Sequence, residues 1–211
     1  MPFPKKWHSL FIFMKVILAS NSPRRKELFS KICPKFLTAP ANVDESVGAG
    51  VAPCDTVKIL ARRKAEFALQ TALNAGMGGV NEQVLVLGSD TVVAYNGKVL
   101  GKPADEKEAY IMLKTLSGKT HKVYTGVCFA TQNQVLVAAD ESEVLFNELS
   151  DKEIYDYIAT GSPMDKAGAY GIQDGNLVKS YTGSYTNIVG LPLELTEKMY
   201  KEVITNVKNS R

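Results

Sequence analysis

The chain has 211 residues, of which 45% are hydrophobic and 22% charged, with a formal net charge of +3. That is the balance of a globular protein with enough apolar residues for a core, and a charge this small excludes a surface built to coat nucleic acid. Three scattered cysteines (Cys33, Cys54, Cys128) and two histidines (His8, His121) exclude a disulfide framework, a zinc cluster and a Ser-His triad, and point to free thiols.

Residues 1–13 read as an N-terminal extension, with Met14 as an alternative start, ahead of one domain over residues 14–211. Lys5 and Lys6 precede an apolar run over residues 10–16. Lys15 interrupts that run and no small-residue cleavage site follows, so neither a secretory leader nor a membrane span is expected. Residues 15–20 (KVILAS) have the form of a buried strand. They run into a helix that Ser22 caps, with Pro23 at its first position. A second short strand is expected over residues 36–39, then a loop holding Val43-Asp44-Glu45-Ser46. Residues 55–74 repeat apolar side chains at helical spacing, and Gly76 ends that helix. Residues 84–87 are an unbroken apolar run, read as a central strand. Asn96-Gly97 inside residues 91–100 marks a hairpin. A helix over 105–116 follows, then an antiparallel pair over 121–131 and 134–146. Ser150 and Glu153 form a capping box for the next helix. The Gly-rich stretch over 167–190 carries strand-like pieces at 169–172 and 177–181, and residues 193–207 read as a closing helix. Helices alternating with both hairpins and strand-to-helix units predict an α/β fold on a mixed sheet.

Four clusters carry chemistry. Ser20-Asn21-Ser22-Pro23-Arg24-Arg25 sits where a strand meets a helix, and free N–H groups plus two guanidiniums there suit a polyphosphate. The bland alternative is a solvated basic turn, although cations at a helix start oppose its dipole. Gly88-Ser89-Asp90-Thr91 follows the central strand and places Asp90 at its carboxyl end, to hold a cation or orient a water, unless Asp90 simply opens a turn. Lys102 projects between Gly101 and Pro103, a weak signal alone. Lys64 lies on the apolar stripe of its helix, so it either snorkels, the default, or enters a polar cleft. Glu45 is a candidate second metal carboxylate or an ordinary loop residue. Ser117-Gly118-Lys119-Thr120 resembles the end of a P-loop, but position 113 is Leu where that motif needs Gly.

Together these residues resemble the Maf family of nucleotide pyrophosphatases, also called septum-formation-inhibitor-like proteins. The matching segments are ILASNSPRRKELF (17–29), VDES (43–46), ARRKA (61–65), LGSDTVV (87–93), GKP (101–103), SGKTHKVYTGV (117–127), DKAGAYGIQ (165–173) and GSYTNIVGLPLE (183–194), in the family's order. The resemblance implies an elongated mixed sheet with flanking helices and two lobes around a cleft, as in inosine-triphosphate pyrophosphatases. It implies hydrolysis of a nucleoside triphosphate to monophosphate and pyrophosphate with Mg²⁺ or Mn²⁺, in a cytoplasmic homodimer with no nucleic-acid or membrane partner. It makes Asp90 the catalytic carboxylate, sharing the metal with Glu45, and Ser20, Arg25, Lys64 and Lys102 the substrate-binding groups. Arg24, Thr91 and Gln173 match the subgroup acting on dTTP and UTP, whose base they would read. An inosine/xanthosine triphosphate pyrophosphatase and a non-catalytic regulator of cell division are the competing readings.

Overall fold

The computed structural model describes residues 14–79 and 82–209, and the extension expected over residues 1–13 lies outside them. Seven strands form one mixed sheet: β1 (Met14–Leu18), β2 (Leu37–Thr38), β3 (Gln83–Tyr95), β4 (Lys98–Leu100), β5 (Thr120–Ala130), β6 (Val135–Phe146) and β7 (Val178–Thr182). Their order is β2-β1-β3-β5-β6-β7, with β4 on the far half of β3. β1 pairs parallel with β2 and β3, and the remaining pairs are antiparallel. Helices α1 (Pro23–Ser30), α2 (Pro53–Asn74), α3 (Glu106–Leu116), α4 (Asp151–Ala159), α5 (Tyr185–Val189) and α6 (Leu193–Asn209) flank it. The expected α/β mixed sheet is therefore present.

The apolar runs of β1 and β3 are explained by burial on both faces. Val16, Leu18, Leu85 and Leu87 pack with α1 and α6, while Ile17, Ala19, Val84 and Val86 pack under α2. A second core lies farther along β3 with β5 and β6, where Val93, Val123 and Phe146 meet α3 and α4. Two lobes thus share β3 and β5, and the middle of β3 falls between them.

Two expectations need correction. The sequence suggests a strand ending at residue 87, whereas β3, 13 residues long in all, runs on through Gly88-Ser89-Asp90 to Tyr95. Asp90 therefore lies in mid-strand, opposite Gly126 of β5, and not at a strand's carboxyl end. Polar residues look like a break in sequence, but here β5 supplies their backbone partners and the interlobe cleft receives the carboxylate. Residues 169–172 form no strand: a 3₁₀ turn (Ala167–Ala169) replaces it, brought so close to β3 that a Cβ at Gly168 would lie 2.8 Å from Val93. The hairpin is as expected, with positive φ at both Asn96 (48°) and Gly97 (74°). Among the described residues no helix is long and apolar enough to cross a membrane, and all three cysteines are free.

His121 is buried in the second core, with Nε2 2.8 Å from the Tyr170 hydroxyl. Burial lowers its pKa from 6.5 to about 4, against the pull of the Lys119 backbone. Above the unfolded value both states are neutral and the stability is complete. Between 6.5 and about 4 only the unfolded chain takes up the proton, so stability falls as pH falls. Going from pH 7.5 to pH 5 should cost the native chain about 2 kcal/mol more than it costs a His121→Gln variant. Urea titrations at the two pH values measure the difference, and equal losses would clear this ring of the effect.

Candidate active site

Several parts of the chain, distant in sequence, converge on the interlobe cleft, a space of about 900 Å³. β1 delivers Ser20, and the first turn of α1 delivers Arg24 and Arg25. The 43–46 loop brings Glu45 and α2 brings Lys64. β3 contributes Asp90 and Thr91, and the second lobe supplies Lys102 and Gln173. All nine residues singled out in the sequence line this one cleft.

Its centre is an ion triad. Lys64 Nζ lies 2.5 Å from Asp90 Oδ1 and 2.7 Å from Glu45 Oε1. Lys64 therefore enters the cleft and does not snorkel, because two carboxylates receive it there. The seat of α2 makes this reach possible: Gly88 and Gly126 present bare backbone to the helix, and α2 lies almost on the strands. Burial opposes ionisation of Glu45, yet the hydrogen bond and charge of Lys64, with Lys102 and Arg25 behind it, hold its carboxyl below the usual range. Arg63, next to Lys64 on α2, donates Nη1 to the carbonyls of Asp44 (3.0 Å) and Ser46 (2.7 Å), the two residues flanking Glu45. In sequence Arg63 looks like an ordinary exposed helix charge, and only the loop's return reveals its contact.

Ser22 caps α1 with Pro23 in its first turn, as expected, and Ser20 Oγ accepts from Ser22 N at 3.1 Å. Arg25 is held from both sides. Its Nε donates to the Gly190 carbonyl (2.9 Å) and its Nη2 to Thr91 Oγ1 (2.9 Å), while Ser89 Oγ donates to the same carbonyl at 3.1 Å. Gly190 caps α5 at φ 119°, a conformation that favours glycine. Arg24 bridges the lobes through Asp165 Oδ2 at 3.2 Å. Asp165 in turn accepts from Lys166, whose buried ammonium also reaches Ser162 and Asp174, beside Gln173.

Among the described residues no group of three or more His, Cys, Asp or Glu side chains is placed to hold a metal ion. Two carboxylates meeting on one ammonium do suit a hard divalent cation that takes its remaining oxygens from phosphate and water. Glu45 and Asp90 fit that donor set.

The model of the Maf family, described as "Maf-like protein", matches residues 15–203. The chain belongs to the Maf-like family. A Pelotomaculum thermopropionicum protein named dTTP/UTP pyrophosphatase is 44% identical, covering 92% of this chain and 98% of its own. A Desulfitobacterium hafniense protein of the same name is 46% identical over 87% of this chain and 82% of its own. Among solved structures, the likeness to a Staphylococcus aureus Ham1 protein (TM-score 0.37, 15% identity, 64% of this chain and 72% of that one) is too slight to bear on function. In this Maf-like chain the segments that carry the resemblance are the ones that build the cleft, although the sequence separates Arg25 from Gly190 by 165 positions.

Proposed function

We propose that this chain hydrolyses pyrimidine nucleoside triphosphates, dTTP and UTP foremost, to the monophosphate and pyrophosphate. One observation carries the reading: a buried carboxylate, Asp90, shares a cleft with the cations of Arg25, Lys64 and Lys102. A triphosphate brings several negative charges; Arg25 and Lys64 offset them where little water competes, with the exposed Lys102 adding a third cation. As phosphate oxygens engage Lys64, Asp90 loses its internal partner and becomes free to take a proton. Its carboxylate then orients a water toward the innermost phosphorus and accepts that water's proton. A Mg²⁺ or Mn²⁺ ion held by Glu45 and Asp90 would supply further charge stabilisation at the phosphates. Ser20 closes the phosphate end beside the start of α1. Arg24 and Gln173 stand where the two lobes would hold the base. The names of the relatives, dTTP/UTP pyrophosphatase, support the same substrate class. The cytoplasmic homodimer that the resemblance implies belongs to this reading too.

The test is kcat/KM for dTTP, UTP, CTP, GTP and ITP with Mg²⁺ or Mn²⁺. dTTP and UTP should exceed GTP and ITP by about tenfold or more, the lower end of what pocket contacts discriminate. A preference for GTP or ITP would remove the pyrimidine assignment, and no turnover of any nucleotide would remove the enzyme.

A further inference from the structure

We infer that Thr91 is one link of a one-way hydrogen-bond relay that fixes Arg25 for its grip on the phosphates. The inference rests on the pyrophosphatase reading for its purpose, but its geometry stands alone. Thr125 Oγ1 lies 2.8 Å from the Asn187 carbonyl, which can only accept, so the single hydroxyl proton of Thr125 is committed there. In the Thr91–Thr125 contact, 3.0 Å between hydroxyl oxygens, Thr91 must then be the donor. Its own proton spent, Thr91 can only accept from Arg25 Nη2, and a guanidinium can only donate. Every proton from Arg25 to Asn187 is thereby assigned, in one direction.

The far end of the relay is rigid. Asn187 is fully buried, and its Nδ2 donates to the Val123 carbonyl (3.0 Å) and to Ser142 Oγ (2.9 Å). The other fixed point is the Gly190 carbonyl on Arg25 Nε. With Nε and one N–H of Nη2 engaged, both protons of Nη1 and the second of Nη2 remain. They form the fork that grips phosphate oxygens in pairs. Thr125 does not line the cleft, so it acts only through Thr91: both threonines are positioning residues.

Inorganic tripolyphosphate reads the phosphate grip by itself, because it has no base. Calorimetric titration in magnesium buffer should show Thr91→Val binding it about tenfold more weakly than the native chain, the effect of freeing one partner of a charged hydrogen bond. Thr91→Ser should restore binding to within about threefold, and Thr125→Val, which keeps the cleft lining intact, should weaken it in the same direction. Native-like tripolyphosphate binding by folded Thr91→Val or Thr125→Val would overturn the relay. A chain that shows the relay pattern with tripolyphosphate yet hydrolyses no nucleotide would contradict the proposed activity and leave the relay standing.

Discussion

Asp90→Asn is expected to lower kcat for dTTP by about 10²-fold or more while KM stays level or falls. The amide keeps the shape of the side chain and can still accept the hydrogen bond that Lys64 now makes to Oδ1. It cannot take a proton from water and carries no charge for a cation. Removing one negative charge also leaves Arg25, Lys64 and Lys102 less neutralised, so a polyanion should bind at least as well. The split between kcat and KM is therefore diagnostic of Asp90 acting in the chemical step and not in holding the substrate. Steady-state kinetics with a melting curve for each protein make the check, and near-native kcat would strip Asp90 of that role.

Gly126→Ala is expected to cost at least about 3 kcal/mol of stability, at or beyond the upper end for overpacked sites. An added Cβ would lie 2.2 Å from the carbonyl oxygen of Val57 and 2.4 Å from its carbon. Those neighbours are helix backbone, which cannot rotate aside as a side chain can. Gly88 meets α2 in the same way, 2.3 Å from the Ala61 oxygen. The helix can yield only by lifting from the sheet, and Lys64 would be carried away from Asp90. Activity should fall together with stability. Gly48 has no atom within 4 Å of a built Cβ, so Gly48→Ala is the control, expected within about 0.5 kcal/mol of native. Urea midpoints decide, and equal stability of the two variants would show that α2 does not need the bare strand.

Most of the fold is legible in sequence because local signals coincide with tertiary demands. The capping box at Ser150 and Glu153, the Asn96-Gly97 turn and the apolar runs of β1 and β3 each specify their own element. Misreadings arise where the partner decides. Gly88-Ser89-Asp90 reads as the end of a strand, since nothing local shows that β5 will pair with it or that α2 will cover it. The helix α5 spans five residues, too short for its period to be seen between glycines. The cleft residues were found as types, Arg beside a helix start and Asp beside a strand, with the resemblance selecting among them. Their couplings are invisible in sequence: Arg25 to Gly190, Thr125 to Asn187, and Arg63 to the carbonyls around Glu45 are set by folding alone.

Hydrolysis of dTTP in H₂¹⁸O, followed by mass spectrometry of the products, bears most directly on how the cleft is used. If its cations hold the polyphosphate while Asp90 directs water at the innermost phosphorus, one heavy oxygen enters the thymidine monophosphate and the pyrophosphate stays unlabelled. Label in the pyrophosphate, or release of diphosphate nucleoside and inorganic phosphate, would contradict that arrangement.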